Sequence, residues 1–125
     1  MLQSLRIENY AIIEKVEIDF DPTLNIITGE TGAGKSILLG ALSLIMGQRA
    51  DTKVLYNTDN KCIVEAVFID YPDIINSFLK EADFDTESEL IIRREISTTG
   101  KSRAFINDTP TKLSFLQSLT VDLID

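Results

Sequence analysis

Apolar and polar residues alternate twice near the start of the chain. Leu5, Ile7 and Tyr10 stand among polar neighbours, and Val16, Ile18 and Phe20 alternate with Glu17, Asp19 and Asp21. A period of two predicts two half-buried strands, the second stopping at Asp21-Pro22. Leu24 to Thr28 reads as a buried third strand. Ser36 to Met46 then reads as a helix with apolar residues nearly all round it, which predicts burial on most sides. Gly40 in the middle of that helix costs about 1 kcal/mol relative to Ala, so a close approach is expected there. Gly47 suits the helix stop.

Further along, Ile63 to Ile69 reads as a strand, and Ile74, Ile75, Phe78, Leu79 and Ala82 mark one face of a helix. Leu90 to Ile96 and Arg103 to Asn107 read as paired strands around a turn at Ser97 to Lys101. Leu113, Leu116 and Leu119 predict a last helix, with Thr111 as its cap. Val121 to Asp125 reads as the start of another strand, and the stop within an apolar segment suggests a longer parent chain. Hairpin strands followed by strands and helices together predict an α/β domain with a mixed sheet, antiparallel N-terminal strands and flanking helices.

The predicted strand and helix at 24–28 and 36–46 flank Gly29-Glu30-Thr31-Gly32-Ala33-Gly34-Lys35-Ser36, a complete G-x-x-x-x-G-K-S phosphate loop. Its glycines let successive backbone N–H groups turn inward around an anion, and Lys35 brings a positive charge to the β- and γ-phosphates. Ser36 is the Mg²⁺ ligand of the pattern, and the helix points the positive end of its dipole at the same phosphates. Gly29, Glu30, Thr31, Gly32, Ala33, Gly34, Lys35 and Ser36 are therefore the candidate ATP–Mg²⁺ residues, Ser36 for the metal. The four fixed positions should arise by chance in only about one chain of this length in several hundred. The strand–loop–helix setting is also the required one.

Composition narrows the chemistry. At 125 residues with 44% hydrophobic content the chain can bury one real core. No apolar run is long enough to span a membrane, and the charged, alternating start is not a secretory signal. The lone cysteine, Cys62, has no internal partner for a disulfide and opens an apolar stretch, so it reads as a core residue of a cytoplasmic protein. The absence of histidine removes His-based acid–base catalysis and His metal sites. A net charge of −8 argues against a surface that coats nucleic acid generally.

A nucleotide hydrolase also needs a carboxylate for Mg²⁺ and a group to place the attacking water. Val67-Phe68-Ile69-Asp70 has the shape of an apolar run ending in Asp, but Tyr71-Pro72 follow, so Asp70 reads as an ordinary strand-end carboxylate. Val121-Asp122-Leu123-Ile124-Asp125 is interrupted by Asp122. No complete catalytic set is present; Lys35 alone supplies charge stabilisation. Asn60-Lys61-Cys62-Ile63 lacks the acidic residue of a guanine-reading element. Arg93-Arg94 reads as a solvated pair on a strand, not as a kinase lid. Asp19/Asp21 and Asp83/Asp85/Glu87 read as solvated edges and turns.

Ile7-Glu8-Asn9-Tyr10-Ala11-Ile12-Ile13, the phosphate loop with Ile37-Leu38, and Gly47-Gln48-Arg49-Ala50-Asp51 resemble the N-terminal region of the RecN family of bacterial DNA repair proteins. Arg93-Arg94-Glu95-Ile96-Ser97 and Gly100-Lys101-Ser102-Arg103-Ala104-Phe105-Ile106-Asn107 agree. The family lies in the SMC-like branch of the ABC ATPases. The resemblance covers essentially all 125 residues. It implies that residues 1–125 are the N-terminal lobe of an ABC/SMC-type P-loop ATPase head, ending before a Gln-containing loop and a coiled coil.

On that footing the Mg²⁺ carboxylate, signature and catalytic Glu lie in a C-terminal lobe, and two heads sandwich ATP. Head closure is coupled to DNA, in double-strand-break repair at the nucleoid. The fragment would then bind ATP and hydrolyse it negligibly alone. The resemblance sets Asn9 to Ile13 by the adenine and Arg49 near the mouth of the site. Lys101 and Arg103 read as solubilising charge rather than DNA contacts. Two alternatives stay open: the N-terminal lobe of another SMC-like or RecF-like ATPase, and a self-contained P-loop nucleotide kinase. An inert interaction module is the remaining contrast.

Overall fold

A computed structural model describes residues 1–20 and 32–123, residues 32 and 33 by backbone only. The alternation at the start of the chain becomes a hairpin, β1 (Leu2–Tyr10) and β2 (Ile13–Asp19), joined by a two-residue turn. After helix α1 (Gly32–Ile45) come β3 (Cys62–Phe68), α2 (Asp73–Glu81), β4 (Leu90–Ile96), β5 (Ser102–Ile106), β6 (Thr109–Thr111) and α3 (Leu113–Val121). The strands form one sheet in the order β2-β1-β3-β4-β5-β6, antiparallel at every described junction. The expected strand at 24–28 and residues 124 and 125 lie outside the described residues.

Period-two burial sets the faces of the sheet. Leu5 and Ile7, Cys62 to Phe68 at alternate positions, Leu90, Ile92 and Ile96, and Ala104 and Ile106 all point into one core. Ala41, Leu44 and Ile45 of α1, Ile75 and Leu79 of α2, and Leu116 and Leu119 of α3 supply its other half. Phe78, Phe115 and Phe84 stack beside them, with ring centroids 5.1 and 5.3 Å apart. The opposite face carries a charged ladder. Arg6 pairs with Glu8 and Glu65, Lys61 with Glu95, and Arg93 with Glu65, Glu95 and Asp108.

Several sequence expectations need correction. Arg93 and Arg94 do not share a solvated face: Arg94 is fully buried, because it falls in phase with Leu90, Ile92 and Ile96. The helix-capping position of α3 is Lys112, without a side-chain cap, because Thr111 is already paired with Ala104 in β6. Val121 ends α3 and Asp122-Leu123 form a turn, so no strand starts there. In α1, burial is one-sided: Ala41, Leu44 and Ile45 are enclosed while Leu39 is 57% exposed.

Candidate functional site

The site is organised around α1, which is held at its C-terminal end and along one flank. Its N-terminus falls within the phosphate-loop motif, beginning at Gly32. No acidic residue occupies this first turn, where the helix dipole presents its positive end. Lys35 and Ser36 follow on the exposed surface. Gly29, Glu30 and Thr31 lie outside the described residues, so the structure brings together the Gly32–Ser36 half of the predicted cradle.

The C-terminus of α1 is closed by a Schellman turn. Gly47 N–H donates to Leu44 O and Gln48 N–H to Ser43 O, both at 3.0 Å, with Gly47 at φ +93°. An added Cβ at Gly47 would stand 2.7 Å from Gln117 Cγ, so glycine is required for both conformation and space. Arg94 completes this end. Its Nη1 donates to Leu44 O at 2.7 Å and to Gln48 O at 2.8 Å, and its Nη2 donates to the Ser102 hydroxyl. From α3, Gln117 Nε2 donates to Gly47 O at 2.9 Å. Burial pulls the Arg94 pKa down to about 10, offset slightly by Cys62. The cation nevertheless sits where the negative end of the helix dipole favours it.

The flank of α1 meets the β1–β2 turn. Tyr10 places its hydroxyl where a side chain at Gly40 would begin, 2.1 Å from an added Cβ. This is the close approach that a mid-helix glycine implied. The turn itself is pinned. Asn9, at φ 56°, sends Nδ2 to the carbonyls of Asn57 (3.0 Å) and Asn60 (2.8 Å), and its Oδ1 accepts from Asn57 N–H at 2.7 Å. Ala11 N–H donates to Val54 O at 2.7 Å, and Tyr10 bridges to Leu55.

Beside Tyr10 and Gly40 lies a cavity of about 490 Å³, also lined by Ser43, Arg49, Asp51 and Val54. Arg49 thus sits past the C-terminal end of α1 and lines this cavity with Tyr10 and Gly40. A second, more polar cavity of about 390 Å³ lies against Asn9, Lys15, Tyr56 and Lys61.

Other sequence candidates fall elsewhere. Asp70 is exposed at the end of β3 with φ 50°. No group of three or more His, Cys, Asp or Glu side chains suited to a metal occurs among the described residues. Lys101 and Arg103 are exposed on the hairpin, as are Asp19, Asp83, Asp85 and Glu87; Asp21 lies outside the described residues. Cys62 is fully buried, and burial pushes its thiol up to about 11. Arg94 holds the C-terminal end of α1 and Asn9 pins the β1–β2 turn, roles that motif spacing does not reveal. For Arg94 a signal existed, its parity with the apolar positions of β4.

Residues 4–121 match the family model described as AAA domain. The chain is 38% identical over 126 residues to the DNA repair protein RecN of Vibrio cholerae, covering all of this chain and 23% of that protein. It is 35% identical over 127 residues to RecN of Bacillus subtilis, again along its whole length and over 22% of the relative. The chain therefore spans under a quarter of the length of these curated relatives.

Among solved structures, it superposes on a chain described under ATP-driven dimerization and DNA-stimulated activation of SMC ATPases. The TM-score is 0.71 at 18% identity, covering 97% of this chain and 78% of that one. It also matches the recombination mediator protein RecF, with a TM-score of 0.66 at 21% identity over 90% of this chain and 28% of that one. These likenesses establish the fold, that of SMC and RecF ATPase heads. The chain belongs to the AAA domain family, and along its whole length it is similar to the N-terminal region of RecN.

Proposed function

We propose that this chain is the ATP-binding half of an ATPase head in a RecN-like DNA repair protein. The observation that carries the reading is the phosphate-loop motif running into the N-terminus of α1, with Lys35 and Ser36 exposed in its first turns. Whole-length similarity to RecN favours this family over a RecF-like one.

The residues present fit a nucleoside triphosphate with Mg²⁺. Backbone N–H groups of Gly29 to Ser36 would surround the phosphates, Lys35 would balance their charge, and Ser36 would hold the metal. When bound, Mg²⁺ supplies Lewis-acid stabilisation of the phosphates. Lys35 offers about 4 kcal/mol of attraction to one phosphate charge at 4 Å and an effective dielectric near 20.

Hydrolysis needs more than this. Among the described residues no group of three or more His, Cys, Asp or Glu side chains could hold a metal, and Arg94 is locked under the sheet, away from any lid role. The chain therefore binds ATP and turns it over negligibly alone. The remaining groups would come from a C-terminal lobe and a second head, with ATP-driven head closure passed to bound DNA in double-strand-break repair. That work would place the protein in the cytoplasm, at the nucleoid. No helix among the described residues is long and apolar enough to cross a membrane.

Titration with a fluorescent ATP analogue tests the proposal. Lys35→Ala should weaken binding at least tenfold while leaving the circular dichroism unchanged. Equal affinities would refute the role given to Lys35, and phosphoryl transfer by the isolated chain would favour the kinase alternative.

A further inference from the structure

The way α1 is held makes it a lever. Its C-terminal end is fixed by Arg94 on Leu44 O and Gln48 O, by Gln117 on Gly47 O and by the Schellman turn. Its N-terminal end carries Lys35 and Ser36. Between them, the three atoms nearest a Cβ built at Gly40 all belong to the side chain of Tyr10. The backbone that carries Tyr10 is tied down on both sides. Asn9 is knotted to the 57–61 segment, Ala11 N–H is bonded to Val54 O, and Tyr10 pairs with Ile13 across the hairpin.

We propose that the Tyr10 hydroxyl, seated in the notch at Gly40, is a positioning group for nucleotide binding that sets where Lys35 and Ser36 stand. The inference rests on the ATP-binding reading above and adds to it a residue outside the phosphate loop. Its magnitude follows from geometry. A Cβ at position 40 would lie 2.1 Å from the Tyr10 oxygen, about 1.3 Å short of the 3.4 Å at which ordinary contact begins.

With the backbone that bears Tyr10 held, a displacement of the helix is the movement that would reach the phosphate end. From Gly47 as pivot, Gly40 lies about 10 Å along the axis and Lys35 about 18 Å, at 1.5 Å per residue. A shift of about 1.3 Å at the notch therefore becomes roughly 2 Å at Lys35. Misplacement on that scale is enough to disable a positioned charge. Deleting the hydroxyl reverses the problem, because the next ring atom, Tyr10 Cζ, is 3.2 Å from the built Cβ, only slightly tight.

The experiment is a double-mutant cycle on the purified protein, read as affinity for a fluorescent ATP analogue with circular dichroism and thermal melting recorded alongside. Gly40→Ala should bind at least tenfold more weakly than wild type, although Ala favours the helix by about 1 kcal/mol. Adding Tyr10→Phe should return the affinity to within threefold of Tyr10→Phe alone, a rescue by loss of one oxygen that a general packing defect would not show. Should Gly40→Ala fail to fold, Tyr10→Phe against the double variant decides by the same criterion. The inference is overturned if folded Gly40→Ala binds within threefold of wild type, or if the double variant is not rescued or does not fold. A wild-type protein that binds no ATP overturns the nucleotide reading as well.

Discussion

Arg93 and Arg94 are adjacent and identical in type, yet their replacement should differ several-fold in cost. Arg94 is fully buried, and its three acceptors, Leu44 O, Gln48 O and Ser102 Oγ, are all neutral; its Nε has no partner. Each charged hydrogen bond contributes about 1.5–3 kcal/mol, so the two to the end of α1 contribute roughly 3–6 kcal/mol before offsets. Placement at the helix C-terminus adds up to about 2 kcal/mol. Desolvation opposes them. Burial, by lowering the Arg94 pKa to about 10, costs about 3 kcal/mol against the buried cation.

Arg94→Met removes both sides of this balance and strands Gln48 O, for a net loss of about 2–4 kcal/mol. Arg93 lies on the open face, 20% exposed, with Glu95 at 3.0 Å, the largely exposed Asp108 at 2.8 Å, and its guanidinium 4.3 Å above the Phe105 ring. Arg93→Met should cost at most about 1 kcal/mol, since partly solvated pairs are weak. Urea unfolding followed by circular dichroism measures both. Equal losses, or an Arg94→Met variant within 1 kcal/mol of wild type, would refute the clamp as a determinant of stability.

Two further outcomes follow from single residues. Gly47→Ala should destabilise by about 1–3 kcal/mol and lower the melting temperature, because φ +93° and the 2.7 Å approach to Gln117 Cγ both resist a Cβ; an unchanged melting temperature would contradict the cap. Cys62 should react with thiol reagents at pH 8 about 100-fold more slowly in the native protein than in urea, since raising its pKa from 9.0 to about 11 cuts the thiolate fraction by that factor; native and unfolded rates within tenfold would refute its enclosure. The same shift has a sign in stability. Between pH 9 and about 11 the unfolded thiol ionises while the native one keeps its proton, so this contribution is full below pH 9 and falls as pH rises. The Arg94 shift acts in the opposite direction, because burial opposes the charged form in the native state. Cys62→Ala should flatten the decline between pH 9 and 10.

Periodic elements were legible because their period survives in the sequence. β1 and β2 correspond to alternating runs and α2 and α3 to apolar residues at helical spacing, while β3 to β5 and α1 correspond to short or all-round apolar runs. β6 was not, since three residues carry no period and Pro110 argues against a strand. It forms because the edge position opposite Phe105 needs no amide donor from Pro110. The Asn107-Asp108 turn, with φ 47° and 69°, lacks the glycine that normally signals such a hairpin. The strand expected from Val121 failed because Val121 is the last residue of α3, exposed to solvent, and Asp122 is its C-cap. At the site, fixed spacing made the phosphate loop visible, whereas Arg94 acquires its role from carbonyls 46 and 50 residues away. Parity places Arg94 under the sheet; only the fold supplies its acceptors.

The distances also decide how a buried cation can matter to a site it does not touch. Arg94 holds one end of α1, and an anion bound at the other end would lie about 18 Å away along the axis. At an effective dielectric near 20, two unit charges at that distance attract by about 1 kcal/mol, and salt with a screening length near 8 Å reduces this wherever solvent intervenes. Lys35 at contact distance would supply about four times as much. The field of Arg94 is therefore minor at the phosphate end, while its hydrogen bonds fix the end from which α1 projects. Neutral acceptors suit that task. A carboxylate in place of the Leu44 and Gln48 carbonyls would satisfy the guanidinium better but would not tie it to the helix. The buried charge makes sense as a mechanical anchor, and the exposed one at Lys35 as the electrostatic group.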